Sequence, residues 1–446
     1  MSPLALHERT ANADHQLRRV IGPWGVAANA VNSAVGGGIF ALPALVAALL
    51  GPAAIICYLI CGVAVALVLT CFAEIGSFVH RSGGPVAYIA EAFGPLAGFL
   101  AWVLYTIGFE VGGCAAIGNL LMDTFASVLP FLSGGAPRIL AFLVLYGTLA
   151  AVNIRGVKQG LRLSVITTLA KLLPLVLLIA AGIFAVHWNQ LVWTGFPPFA
   201  KVGEGTLLIF FSFQGAEESL CTSAEIRNPA RTVPQGIFVA VTGLILLYVA
   251  LQIVSQGVLG SRLGLDSATP LANVAAQIAG SPGRALMLIG AAVSIFGSIA
   301  SSAMAAPRSF FLMAEDGIFP AALARVHPRF HTPYVSIATF AGLMFVLSIT
   351  GAFRRLAILS SVAILCVYLA ICLGALRLRY TRKQELGAFR ARGGPIVGIL
   401  GSAFVIWPLT YCTRAEFIAL GVSLSFATAF FLIRKRMTRN PASQRL

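Results

Sequence analysis

Twelve apolar runs follow one another along this chain, and that repetition constrains its fold more than any single residue does. They lie at about 22–50, 53–79, 96–125, 139–153, 161–186, 204–224, 235–258, 285–313, 333–350, 355–376, 395–412 and 415–433. Nearly all approach or exceed the roughly 20 residues a helix needs to cross a bilayer; 139–153 is short. Apolar residues make up 58% of the 446 and charged residues only 10%, where a soluble domain carries about 25% charged residues. So few charges cannot cover a soluble surface of this size. The chain reads as a polytopic all-α membrane protein with almost no extramembrane domain. A soluble enzyme, a secreted disulfide scaffold and a disordered chain are excluded.

The net charge is +16, but the charges fall between the runs. An even number of spans puts both termini on one side of the membrane. Of the 31 Lys and Arg, 23 fall in the segments that share a side with the termini, 7 fall in the opposite loops, and Lys171 lies within a run. Loop Lys and Arg favour the cytoplasmic side, so both termini are expected there, in the cytoplasmic membrane. No contiguous basic face remains, and no nucleic-acid partner is expected. The eight cysteines lie in or beside the runs without a CxxC pair and read as small buried hydrophobes. All six histidines fall in tails or loops. Neither a metal site nor a cofactor is expected, and no cleavable signal peptide is read before the first run.

Two runs should break. The first contains Gly36-Gly37-Gly38 near its middle, and each glycine costs a helix interior roughly 1 kcal/mol relative to Ala. The sixth contains Phe213-Gln214-Gly215-Ala216-Glu217-Glu218, where two carboxylates stand at a depth that costs about 2.5–3.5 kcal/mol each. A packing patch of small residues would explain the first, and a polar kink the second. Together they fall in corresponding positions if the first ten spans are two halves of five. Interrupted helices so placed point to a substrate site at the midplane. A broken helix frees N–H groups at one half-helix start and C=O groups at the other half-helix end. The amides of Gly36, Gly37 and Gly38 can then hold a carboxylate, because glycine permits close approach. Carbonyls near Ala34, Phe211 and Gln214 can accept from an ammonium. A carboxylate beside an ammonium describes an α-amino acid.

Four stretches carry a family resemblance. Gly36-Gly37-Gly38-Ile39-Phe40 is followed by Pro43; the second run leads into RSGGPVAYIAEAFGP (81–95); FSFQGAEE continues into AEIRNPARTVPQGI (224–237); and PRSFFLMAEDGIFPAALARVHPRFHTPYVS (307–336) follows the eighth run. In this order they resemble the amino acid–polyamine–organocation transporters along nearly the whole chain. Gly37 stands where that family commonly has Ser or Ala, and Val86 replaces an aromatic. The resemblance implies a leucine-transporter-like fold of twelve helices, a 5+5 inverted repeat with helices 1 and 6 broken and two extra C-terminal helices. Its divisions are a tail at 1–20, repeats at 21–186 and 187–376, helices 11 and 12 at 395–433, and a tail at 434–446. By the same resemblance Gly36–Gly38 bind the substrate carboxylate, Ala34, Phe211, Gln214 and Gly215 complete the substrate site, and Phe211 is an outer aromatic gate.

The ionisable residues inside the runs are functional candidates. Lys171 is too deep to snorkel, and burial penalises its charge. It is expected either to brace broken-helix carbonyls or to release and regain a proton, and the two roles overlap. By resemblance it stands where many family members have a lysine in place of a sodium ion. Glu110, in the middle of the third run, is a proton carrier, a partner for a cationic substrate, or a structural carboxylate. Glu217 opens the second half of the sixth run as a cap or a gate. The expected activity is secondary transport of an amino acid or related amine by alternating access, with proton symport ahead of amino acid/amine exchange and neither enzyme nor channel chemistry. A non-transporting sensor ranks lower. The substrate is read as neutral or small and apolar, with Glu110 keeping a cationic one open. Protons and the lipid bilayer are the other expected partners; a homo-oligomer is left open.

Overall fold

The computed structural model describes residues 22–79, 84–156, 160–193, 195–221, 229–265, 268–381 and 389–439. The expected N-terminal tail, Arg81–Gly83, Glu225–Asn228 and the last residues of the C-terminal tail lie outside the described residues. Every regular element among the described residues is helical.

In chain order the helices are α1 (Pro23–Ala34), α2 (Leu42–Leu50), α3 (Ile55–Phe78), α4 (Gly84–Phe93), α5 (Pro95–Trp102), α6 (Gly112–Ala126), α7 (Gly135–Arg155), α8 (Gly160–Gly182), α9 (Phe199–Phe213) and α10 (Glu218–Cys221). They continue with α11 (Pro229–Leu259), α12 (Pro270–Ala305), α13 (Pro307–Glu315), α14 (Tyr334–Thr350), α15 (Phe353–Thr381), α16 (Gly394–Leu409) and α17 (Arg414–Arg439). Proline supplies many of the starts. α1, α2, α5, α12, α13 and α16 each carry Pro in the first two positions and no side-chain cap. Its missing N–H would have been unpaired there in any case, which matters most in an apolar medium.

Among the described residues, seven helical stretches are long and apolar enough to cross a membrane: Leu42–Ser77, Pro95–Ala126, Gly135–Arg155, Arg231–Leu265, Pro270–Glu315, Phe353–Thr381 and Arg414–Arg436. Lys171–Ala185, Tyr334–Thr350 and Gly394–Leu409 are apolar but shorter. The first and sixth expected spans are each cut into short pieces, α1 with α2 and α9 with α10. The short run at 139–153 belongs to a helix of 21 residues, Gly135–Arg155. Ahead of the eighth apolar run a short helical stretch starts at Pro270 and is broken at Ala279 and Gly280, where Gly280 has φ +63° two residues before Pro282. α17 runs on to Arg439, beyond the expected end at 433.

Span three differs from a regular helix. Between α5 and α6, residues Val103–Val111 form a nine-residue π-helix that contains Glu110. Such wide turns are rare and gather at functional sites.

The core forms where the broken helices meet their neighbours. α1 packs on α11 and α10, α9 packs on α3 and α15, and α12 packs on α6 and α8. The apolar faces of α7 and α17 stay largely exposed, with Leu140, Val144, Val422 and Phe426 uncovered. A hydrocarbon solvent suits those faces.

Away from the breaks, one buried ion pair ties two long helices. Arg379 at the end of α15 meets Glu74 near the end of α3 at 2.7 Å, and Glu74 is 3% exposed. The Ala391 N–H donates to the same carboxylate at 3.2 Å, and the Ala391 carbonyl accepts from Arg379. Removing one partner strands a buried charge, at a cost of about 3–5 kcal/mol. Arg379→Ala is therefore expected to lower the melting midpoint in detergent markedly, and adding Glu74→Gln is expected to restore part of the loss. Additive losses in the double variant would show that the pair carries no coupling.

Candidate functional site

The glycines of the first span unwind it as their composition demands. α1 ends at Ala34; Val35 leaves helical geometry; a 3₁₀ turn at Gly38–Phe40 leads into α2. In the sixth span α9 ends at Phe213, and turn geometry over Gln214–Glu217 separates it from α10. The two breaks touch. Gly215 has φ +92°, and a Cβ placed there would lie 3.0 Å from the Ser33 carbonyl oxygen. Both the backbone sign and the closeness of the other break require glycine at this position.

A cavity of about 150 Å³ opens at the meeting point. Ala34, Gly36, Gly37, Gly38, Glu110, Lys171, Phe211, Gln214 and Gly215 all contribute to its wall. Glu217 is the one sequence-nominated residue outside that wall. Residues from four distant stretches of chain, chosen for their chemistry, are thus gathered in one place.

The geometry refines each expectation. The Gly36 N–H donates to the Ala34 carbonyl at 2.8 Å, so this amide is already engaged. Among the described residues no backbone acceptor takes the N–H of Gly37 or Gly38. Neither glycine has room for a side chain. A Cβ at Gly37 would meet Ile295 Cγ1 at 2.8 Å and Ile117 Cγ2 at 3.0 Å, and one at Gly38 would meet the Phe211 ring at 2.7 Å. Phe211 rests on Gly38 and packs edge-on against Phe353 at 5.7 Å. Just beyond that pair, Glu204 in α9 bridges to Arg354 in α15 at 2.8 Å.

Gln214 is held on both ends by α15. Its amide nitrogen donates to Ser361 Oγ at 2.9 Å, and its oxygen accepts from Ser360 at 3.2 Å. Glu217 folds back over its own break. One carboxylate oxygen accepts from the Gly215 N–H at 3.0 Å and from the Tyr368 hydroxyl at 2.7 Å. Lys171 is 6% exposed, and its ammonium donates to the Asn32 carbonyl in the last turn of α1. Half-buried Glu110 lies beside Ser302, and Glu218 lies beside Ser33 and Lys171.

The sequence reading missed one wall altogether. Ser294, Ser298, Ser301 and Ser302 of α12 face the cavity, with Gly297 between them. Their spacing of four, three and one places them on one helical face, a signal visible in SIFGSIASS but hidden by the surrounding apolar run. Glu218 and Cys114 also line the space. Among the described residues no group of three His, Cys, Asp or Glu is gathered as a metal site would need.

The break at Gly215 makes a direct test. Gly215→Ala forces a left-handed backbone on an L-residue, at about 1–2 kcal/mol, and pushes against the Ser33 carbonyl. It is expected to abolish uptake and to lower the melting midpoint. Gly36→Ala, with Ser298 Oγ as the nearest side-chain atom at 3.6 Å, is expected to fold normally. Equal behaviour of the two variants would mean that the breaks do not depend on each other.

The chain as a whole has relatives among known proteins. The amino acid permease family model matches residues 21–434. The methylthioribose transporter of Bacillus subtilis is 26% identical over 94% of this chain and 94% of its own length. The serine/threonine exchanger of the same organism is 27% identical, over 95% of this chain and 98% of its own. The arginine/agmatine antiporter of Chlamydia abortus is 26% identical, over 94% and 91%. All three are transporters and none is an enzyme. With a family model spanning nearly its whole length, this multi-pass membrane protein belongs to the amino acid permease family.

Proposed function

We propose that this chain is a secondary active transporter that carries amino acids across the cytoplasmic membrane by alternating access, coupled to protons in symport. The reading includes twelve spans in a 5+5 inverted repeat with both termini cytoplasmic. The matched positions of the two breaks and the Lys/Arg bias support that arrangement. Relatives named for serine, threonine, arginine and agmatine support an amino acid or its amine as cargo.

One observation carries the coupling: the Lys171 ammonium is tied to the Asn32 carbonyl of the broken helix, in the wall of the cavity that Gly37 and Gly38 face. The substrate carboxylate is read as sitting on the amides of Gly37 and Gly38, where glycine lets it reach the backbone. The substrate ammonium sits by the carbonyl ends at Ala34 and Phe211. Gln214, Gly215 and Gly36 hold the backbone that presents these groups. Phe211 closes over the substrate from the outside with Phe353 and keeps water out. Glu217, braced by Tyr368, holds the second break and gates the inner side.

Protonated, Lys171 donates to a carbonyl that a bilayer interior would otherwise leave unpaired. Without its proton the nitrogen has a weaker hold on Asn32, and the arrangement stabilised by that contact loses ground to the other. A ligand or proton shifts such an equilibrium only by its differential affinity for the two states. A hundredfold difference in proton affinity between them supplies about 2.7 kcal/mol. Glu110, across the same cavity, is the acceptor that completes the relay.

Purified protein in proteoliposomes is expected to concentrate amino acid under an inward proton gradient, without sodium. Lys171→Met is expected to abolish that accumulation while substrate binding survives, and Glu110→Gln to flatten the pH dependence. Sodium-dependent uptake that ignores pH, or full accumulation by Lys171→Met, would falsify proton coupling through this lysine. One-for-one exchange without net accumulation would replace symport by exchange. Phe211→Ala is expected to weaken apparent affinity with little loss of folded protein; unchanged affinity would reduce Phe211 to packing.

A further inference from the structure

The two half-helix ends are bridged by a residue that belongs to neither. Tyr248 stands in α11, fully buried, with its ring edge-on to Phe213 at 5.1 Å and tilted against Tyr58 at 6.2 Å. Its hydroxyl donates to the Ser212 carbonyl at 2.7 Å and lies 3.3 Å from the Ala34 carbonyl. Ser212 lies in the last turn of α9, and Ala34 is the last residue of α1. Both carbonyls are among those a helix end leaves without an intrahelical partner.

A phenol carries one proton, so Tyr248 can fully satisfy only one of the two carbonyls at a time. The shorter contact gives the proton to Ser212, which is not among the described residues of the cavity wall. Ala34 is in that wall. Its oxygen already accepts from the Gly36 N–H, and a carbonyl oxygen has two lone pairs. With the Tyr248 proton committed to Ser212, the second lone pair of Ala34 stays available beside the cavity.

We infer that Tyr248 is a positioning residue for the substrate amine: its hydroxyl occupies the Ser212 carbonyl, fixes the end of α9 against the end of α1, and leaves the Ala34 carbonyl free for the ammonium. This rests on the amino acid reading above. Without the hydroxyl, the Ser212 carbonyl is a bare acceptor, the spacing of the two ends relaxes, and the ammonium loses its aligned partner. The carboxylate half of the site, at Gly37 and Gly38, does not depend on Tyr248. The effect is therefore specific to the amine.

The test compares an amino acid with its 2-hydroxy acid analogue, in which a hydroxyl replaces the amine. Uptake by the full-length protein in proteoliposomes is screened with L-serine, L-threonine, L-arginine and L-leucine. The best of them then competes against its analogue. Tyr248→Phe keeps the ring and its contacts and deletes only the hydroxyl. Tyr58→Phe is the control: its hydroxyl donates to Gln252 at 3.2 Å and touches neither break. Folding is followed by the melting midpoint of each variant. Tyr248→Phe is expected to raise the KM of the amino acid about tenfold with a near-normal maximal rate, and to leave the analogue's inhibition constant unchanged. The preference for the amine thus shrinks about tenfold, while Tyr58→Phe keeps it. An undiminished preference in Tyr248→Phe, or equal weakening of amino acid and analogue, overturns the role of Tyr248 and leaves the transport reading standing. Wild-type protein that shows no preference for the amine overturns both.

Discussion

A backbone carbonyl or amide inside a bilayer has no water to turn to, and the centre of this molecule is arranged around that constraint. Opening a helix in the middle exposes such groups at both cut ends. Here two helices open side by side, and several of the exposed groups are met by other parts of the protein. The Ser212 carbonyl meets Tyr248, the Asn32 carbonyl meets Lys171, and the Gly215 amide meets Glu217. These partners come from α11, α8 and the sixth span itself. The breaks are therefore stable only in the assembled bundle. Among the described residues the amides of Gly37 and Gly38 have no backbone acceptor, and it is there that we propose the ligand docks.

This explains which parts could be read from the sequence. Gly36–Gly38 and Gln214–Glu218 violate the composition of a spanning helix so plainly that the breaks follow from elementary costs. Lys171 is conspicuous for the same reason, as a charge with no nearby exit. The residues that meet the broken ends are not conspicuous. Tyr248 sits in LILLYVALQ, where a tyrosine passes for ordinary core, and only its position opposite two carbonyls gives it meaning. The α12 serines are a weaker case of the same problem, since small hydroxyl residues at helical spacing also serve close packing.

Other features had no local signature. Whether residues 103–111 close α- or π-type rings is decided by what packs against them, and nothing in VLYTIGFEV forces the wider turn. The helical stretch from Pro270 that precedes the eighth run, and the break at Ala279 and Gly280 that separates them, also went unread, because the polar stretch around Ser281 and Arg284 looks like a loop when read linearly. Both this break and the one in the first span fall at glycine. The difference is that three adjacent glycines in an apolar run, matched by a polar interruption in the sixth, point to a break, whereas one glycine beside a proline at a run's edge reads as an ordinary loop.

The π segment also bears on how span three tolerates change. An α-helix places successive residues about 100° apart around its axis, and a wider turn alters that phase for everything that follows. α5 and α6 are thus two helices joined out of step, and the wide turn sets the register in which Gly113, Cys114 and Ile117 reach the cavity. Deleting one residue between 103 and 111 would let the segment tighten to an ordinary helix without shortening the span by more than a fraction of a turn. The parts on either side would keep close to their present facing, because the wider turn is what accommodates the extra residue. The segment therefore lets span three hold one more residue than an α-helix presenting the same faces, so a deletion inside 103–111 is tolerated where the same deletion inside α6 would turn the cavity-lining face away.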